Sequence, residues 1–213
     1  EIRLSLVGSE MCIRDSDYTI GIKSEWLSLV GDVFGRYISG ISGDYLFLSV
    51  PYYSMSEEDL ELAEFNKLGE QASQGCVRLA VSDAKWVYDN CPTGTNVSIY
   101  DDAENAGPLG KPDAIKITDF TNKWDPTDSN KKCPYAKATP IISGANDYTI
   151  KSGGEFYALA GVTAVDTCGN DITSNIEVFG NVVTTRKGKY KVTYSVTDVL
   201  KRTSSVTITV TVA

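Results

Sequence analysis

The most regular hydrophobic pattern lies in the last third of the chain. Tyr190, Val192, Tyr194 and Val196 alternate with Lys191, Thr193, Ser195 and Thr197, and Val206, Ile208, Val210 and Val212 alternate with Thr207, Thr209 and Thr211. A period of two belongs to a strand with one buried and one wetted face, so both stretches are predicted strands, joined across Asp198 to Ser205. Shorter apolar runs at 148–150, 161–165 and 176–179 extend this β-rich reading. Earlier in the chain, Tyr18, Ile20 and Ile22 alternate with small or polar residues, and the run from Tyr45 to Val50 predicts a short buried strand closed by Pro51. Trp26, Phe34 and Tyr37, separated by glycines, predict loops that pack aromatics onto a sheet.

Two helices are expected. Ser56-Glu57-Glu58-Asp59 has the form of a capping box, followed by Leu60, Leu62, Ala63 and Phe65 and a stop at Gly69. Its acidic positions, Glu57, Glu58, Asp59, Glu61 and Glu64, read most simply as a solvated face whose first-turn acids suit the helix dipole. Ser82 is placed to cap a second helix, Asp83 to Asn90, with Ala84, Val87 and Cys91 at helical spacing and Pro92 ending it. Asn96 to Tyr100 predicts another strand. Residues 106–137 are rich in Pro, Gly, Asp and Asn and read as an extended tail. The fold class is therefore mostly β: a mixed, β-rich first domain with two short helices, then about seven short strands in residues 138–213, the pattern of an immunoglobulin-like sandwich.

Charge sharpens the division. Residues 17–137 carry 11 basic and 19 acidic side chains, whereas 138–213 carry 7 and 6. The net charge of −8 argues against nucleic acid as a partner. No apolar run approaches the ~18 residues of a transmembrane helix. Residues 6–16, LVGSEMCIRDS, match one reading frame of a common transposase sequencing adaptor. Residues 1–16 are therefore expected to be a library scar on an N-terminally truncated domain, with any signal peptide lost upstream of Asp17. The expected division is 17–125 for the first domain, 126–139 for a linker and 140–213 for the sandwich.

Histidine is absent from the whole chain, which removes the commonest general base and the commonest metal ligand. Cys12 falls in the scar, and Cys76, Cys91, Cys133 and Cys168 are too scattered for a zinc cluster. No cofactor and no metal are expected. A calcium site in the turn from Asp166 to Asp171 is less probable than a plain turn, given so few spaced carboxylates. Cys91 and Cys133 could be bridged in an exported protein or remain two free thiols. The stretch with most chemical content is Ala72-Ser73-Gln74-Gly75-Cys76-Val77-Arg78-Leu79. Gly75 lets the chain turn sharply, Cys76 offers a nucleophile, and Arg78 supplies a positive charge that favours thiolate. The alternative is a cysteine buried in a turn as a small hydrophobe.

The segment NKLGEQASQGCVRLAVSDAKWVYDNCPTGTNVSIYD resembles the YkuD-type L,D-transpeptidase domain, whose motif is Ser, a variable residue or His, then Gly-Cys-hydrophobic-Arg. The resemblance extends outward through Leu46 to Tyr52 and down to Trp124-Asp125-Pro126-Thr127-Asp128. The last part resembles a bacterial Ig-like repeat, from Pro140 to Ala145 and Gly161 to Asp166. The first resemblance implies a cell-wall enzyme that cross-links peptidoglycan stem peptides outside the cell. Cys76 would be its nucleophile, with amides around Gly75 and Cys76 holding the oxyanion. Ser73 would shape the turn, and Arg78 would dock a carboxylate, support the thiolate or form a structural salt bridge. The Ig-like part would space the enzyme or bind other wall polymers. The family also carries a histidine where Leu48 stands, and often one at the position of Gln74. Leucine cannot accept a proton, so the resemblance leaves open a catalytically silent peptidoglycan-binding or surface-adhesion protein.

Overall fold

A computed structural model describes residues 16–42, 45–70, 72–73, 75–99 and 113–213. Residues 1–15, which hold most of the expected adaptor scar and Cys12, and Gln74 of the cysteine motif lie outside the described residues. The chain divides into two compact units, Glu1–Ala136 and Lys137–Ala213.

In the first unit a four-stranded sheet has the order β2-β3-β4-β5. Its strands are β2 (Lys23–Leu29), β3 (Val33–Ser42), β4 (Tyr45–Ser49) and β5 (Val77–Leu79). A separate antiparallel pair joins β1 (Ser16–Thr19) to β6 (Asn96–Ile99). Trp26, Phe34 and Tyr37, expected in loops, instead lie in the β2–β3 hairpin. The hairpin turns through Gly31 and Asp32, both at positive φ, as tight hairpins require. β4 and β5 run parallel, with Phe47 opposite Val77, Leu48 opposite Arg78 and Ser49 opposite Leu79. A parallel connection needs a long crossover, and residues 50–76 supply it.

Both helices differ from expectation at their starts. α1 spans only Leu62–Phe65, and no side chain caps it. The preceding stretch cannot continue the helix because it is pinned elsewhere: Leu60 bridges Tyr52 and donates its N–H to the Lys123 carbonyl at 2.9 Å. α2 spans Val81–Asn90, two residues longer at its start than predicted. Its N-terminus is satisfied not by Ser82 but from 44 residues away, where the Asp125 carboxylate accepts the Val81 N–H at 2.8 Å. Thr127 Oγ1 accepts the Ser82 N–H at 3.0 Å. These remote groups replace a local cap by satisfying the orphan donors of the first turn. Asp125 is fully buried, and that burial raises its carboxyl to about 6.

The two faces of the sheet differ. Phe47, Val77 and Leu79 point into the main core with Val81, Ala84 and Val87 of α2, Leu62 and Phe65 of α1, and Tyr52 and Leu60. The opposite face carries a smaller cluster of Ile38, Leu46 and Leu48, edged by Leu27, Leu29 and Cys76. The stretch after Asp125, expected as a linker, packs within the first unit as far as Ala136: Asp128, Cys133 and Tyr135 are buried, and Asp128 accepts Arg36 Nη1 at 3.0 Å.

The second unit has six strands: β7 (Ile141–Ser143), β8 (Tyr148–Ile150), β9 (Thr163–Val165), β10 (Glu177–Phe179), β11 (Gly188–Thr197) and β12 (Thr203–Val212). One sheet has the order β10-β11-β12-β8 and the other pairs β7 with β9. The two alternating stretches are β11 and β12, paired from Gly188–Val212 to Thr197–Thr203. Val192, Tyr194, Val196, Ile208 and Val210 fill the core with Val162, Ala164 and Ile176, while the threonines pair on the wet face.

Candidate active site around Cys76

The motif occupies the entry to β5. Gly75 has φ +137°, and a Cβ there would lie 2.5 Å from Cε1 of Tyr45. Glycine is thus required twice, by backbone conformation and by the ring packed on it. Ser73 closes the turn: its hydroxyl donates to the Cys76 carbonyl at 2.6 Å and accepts the Gly75 N–H at 3.3 Å. That second bond turns the Gly75 amide, one of those the resemblance assigns to a substrate oxyanion, toward Ser73.

Strand alternation then sorts the side chains. Val77 and Leu79 are buried in the main core, so Cys76 and Arg78 share the opposite face. Cys76 is half-buried there against the Leu48 cluster. Leu48 is 1% exposed, and its Cδ1 lies 2.6 Å from where a Cβ on Gly35 would sit. Gly35 therefore makes the floor for the side chain at position 48. Position 48 and Cys76 meet in one cluster, and what position 48 presents to the thiol is hydrocarbon.

Arg78 is not a free cation. Its Nη1 donates to Glu64 Oε2 at 2.5 Å, and Lys67 Nζ donates to Glu64 Oε1 at 2.6 Å. Glu64, read from sequence as part of a solvated face, thus holds two cations. Hydrogen bonds from Lys67 and Arg78 keep its carboxyl below the usual range despite partial burial. Glu61 beside it moves the other way, raised by burial and by the Glu64 charge.

The structure brings together Ser73, Gly75, Cys76 and Arg78, as sequence adjacency requires, and adds Tyr45, Leu48, Gly35 and Glu64. Leu48 was identified in advance through the family resemblance. Tyr45 and Gly35 were not, because their roles depend on the parallel β4–β5 pairing and the β3–β4 register, which no local pattern reveals.

Of the other described cysteines, Cys91, Cys133 and Cys168 are buried and none is in a disulfide. Cys133 Sγ reaches the Asp125 carbonyl at 3.7 Å, near the start of α2, whereas Cys91 caps the end of that helix. A ten-residue helix spans roughly 15 Å, beyond the ~7 Å limit between Cα atoms for a disulfide, so the two thiols are not a pair in this fold. In the second unit, Asp166 spends both oxygens within its own turn, accepting from the amides of Cys168 and Asn170 and from Asn170 Nδ2. Among the described residues no cluster of three or more His, Cys, Asp or Glu side chains could hold a metal ion. None of the helices described is long and apolar enough to cross a membrane.

Residues 40–99 match the family model of the L,D-transpeptidase catalytic domain, and residues 140–212 that of the bacterial surface protein, Ig-like domain. The Bacillus subtilis protein named "Putative L,D-transpeptidase YciB" is 47% identical over 57 residues, which cover 27% of this chain. The match covers only 28% of that relative's length. Among solved structures, an L,D-transpeptidase from Stackebrandtia nassauensis is 17% identical, covers 45% of this chain and 43% of its own, and has a TM-score of 0.32. The CBM51-2 and INT domains of Clostridium perfringens ZmpB, solved with GlcNAc, are 31% identical over 35% of this chain and 16% of theirs, also with a TM-score of 0.32. Residues 40–99 thus carry the likeness to the YkuD L,D-transpeptidase catalytic domain, and residues 140–212 the likeness to the bacterial surface Ig-like domain.

Proposed function

We propose that the first domain is an L,D-transpeptidase-type acyltransferase of the bacterial cell wall that engages peptidoglycan stem peptides at the Cys76 face. The supporting observation is the Ser73-closed turn, which sets Cys76 on the sheet face opposite the core, beside Arg78 and position 48. In the proposed reaction the Cys76 sulfur attacks a stem-peptide carbonyl, the C–N bond breaks, and a D-amino acid leaves with the proton the thiol gives up. An amine from a second stem then attacks the thioester, forms the new amide and restores the thiol. The protein would act outside the cell, with the Ig-like domain spacing it in the wall or binding other wall polymers.

Leu48 favours a second reading, in which the domain binds stem peptides without turning them over. No proton acceptor stands where the family's histidine would, and loss of one member of a catalytic unit costs several orders of magnitude in rate. A carbapenem challenge followed by intact-mass and peptide mass spectrometry separates the two. Slow acylation of Cys76, accelerated at least roughly tenfold by Leu48→His, supports the enzyme reading. Muropeptide binding without any adduct supports the silent binder. Neither adduct nor binding would overturn the proposal.

A further inference from the structure

The last segment of the first unit grips the Cys76 loop from outside. Residues 113–133 form neither helix nor strand, yet Ile117 and Asp125 within them are fully buried. A buried irregular segment must find partners for its polar groups. Two of its attachments bracket Cys76. Asn66, which ends α1, holds the Ile117 backbone with both ends of its amide: Nδ2 donates to the Ile117 carbonyl at 2.8 Å, and Oδ1 accepts the Ile117 N–H at 2.7 Å. At the start of α2, Asp125 accepts the Val81 N–H and Thr127 accepts the Ser82 N–H. Asp125 Oδ1 also fixes Thr127, through its N–H at 2.8 Å and its hydroxyl at 2.6 Å. Asn66 stands ten residues before Cys76 and Val81 five after it. Between them β5 is three residues long, so its pairing with β4 secures a short part of the stretch.

We propose that residues 117–127 are a two-point clamp that holds the Cys76 turn in place, with Asn66 and Asp125 as its positioning residues. This rests on the reading of Cys76 as the functional thiol. Each grip fixes one flank of the turn, so release of either lengthens the free chain around Cys76 and raises the population of open turns. Asparagine serves at position 66 because its amide donates and accepts at once. Position 125 needs an acceptor because the donors at the start of α2 have no partner within the helix.

The test is native-state alkylation of Cys76 and Cys91 by iodoacetamide, quantified on their peptides by mass spectrometry, with hydrogen exchange of the Cys76 peptide. In the alkylation the sulfur–carbon bond forms, iodide leaves and the thiol proton goes to solvent. Asn66→Ala and Asp125→Ala should each raise the Cys76 rate and the exchange of its peptide about tenfold, the size of a lost cap or a lost paired amide. Cys91, buried at the far end of α2, should change less than about twofold, because the opening is local. Asp125→Asn keeps an acceptor for the Val81 N–H and should recover most of the difference. Lys123→Ala removes an exposed ion pair with Asp59 on the same segment and should leave Cys76 as it was. If Asp125→Ala does not fold, Thr127→Val removes a single acceptor and should give roughly a threefold rise. A parallel rise at Cys91 would mean a general loss of stability in place of a clamp, and would overturn the proposal. Unchanged labelling and exchange at Cys76 in either alanine variant would overturn it too. Failure of the carbapenem challenge with these changes intact would remove only the transpeptidase reading.

Discussion

The two units each place a cysteine in a tight turn beside a glycine, and the two thiols are set up for opposite fates. Cys76 follows Gly75, in a turn closed by the Ser73 hydroxyl, and remains half-buried at the edge of a sheet face. Cys168 precedes Gly169, in a turn closed by Asp166, and is 1% exposed. Burial and the neighbouring Asp166 charge push the Cys168 thiol up to about 11, with Asp198 adding to the effect. A cysteine next to a glycine in a polar turn is therefore no guide to reactivity by itself. What the structure shows to differ is the depth of the sulfur, half-buried at Cys76 and 1% exposed at Cys168, and along the sequence an arginine stands two residues after Cys76 whereas an aspartate stands two residues before Cys168.

The largest expected effect is a contrast in native-state alkylation. At pH 8, iodoacetamide should modify Cys76 at least ~100-fold faster than Cys168. About two units of raised thiol pKa already remove that factor of thiolate, before burial is counted. Unfolding in denaturant should bring the rates within a few-fold of each other. Quantifying both cysteine peptides by mass spectrometry over time checks this, and equal native rates would erase the distinction between the turns.

How much of this was legible beforehand follows the range of the interactions. β11 and β12 were readable almost residue by residue, because alternation is local and their hairpin partner is next in sequence. The Gly75-Cys76 motif was readable because four of its parts lie within six residues. α1 is shorter than its sequence suggests because the capping-box sequence at Ser56 is overridden by the pairing of Leu60 with Tyr52 and Lys123. The cap of α2 was misassigned to Ser82 because its true acceptor, Asp125, comes from a distant segment with no helical or strand periodicity. Glu64 was read as solvated for the same reason: its partner Arg78 is 14 residues away and meets it only in the folded chain.

A smaller effect should come from the glycine itself. Gly75→Ala adds a methyl 2.5 Å from the Tyr45 ring at φ +137°, so strain and overpacking act together, at roughly 3–4 kcal/mol. Gly94→Ala is the control: φ is +91° with nothing within 4 Å, so only backbone strain applies, about 1 kcal/mol. All three tryptophans, Trp26, Trp86 and Trp124, lie in the first unit, so denaturation followed by tryptophan fluorescence reads this unit alone. Equal losses from the two substitutions would mean that the Tyr45 ring does not confine the turn that delivers Cys76.

The smallest effect tests what closes each turn. Ser73→Ala removes one hydroxyl, so the Cys76 carbonyl loses a donor at 2.6 Å and the Gly75 amide loses a weak acceptor at 3.3 Å. The turn is partly exposed, and water can replace both partners, which limits the cost to about 1 kcal/mol or less. Asp166→Ala strips a buried turn of an acceptor for two backbone amides, at 2.8 Å each, and water reaches that site poorly, so about 2–3 kcal/mol is expected. Hydrogen exchange of the two turn peptides in each variant reads the difference without reference to global unfolding. The Ser73 turn should open more often and expose Cys76 to faster alkylation, because a loosened turn no longer holds the sulfur half-buried against its cluster. Were Ser73→Ala to leave both the exchange and the alkylation profile unchanged, the hydroxyl would be incidental, and the Tyr45–Gly75 contact alone would hold the thiol in place.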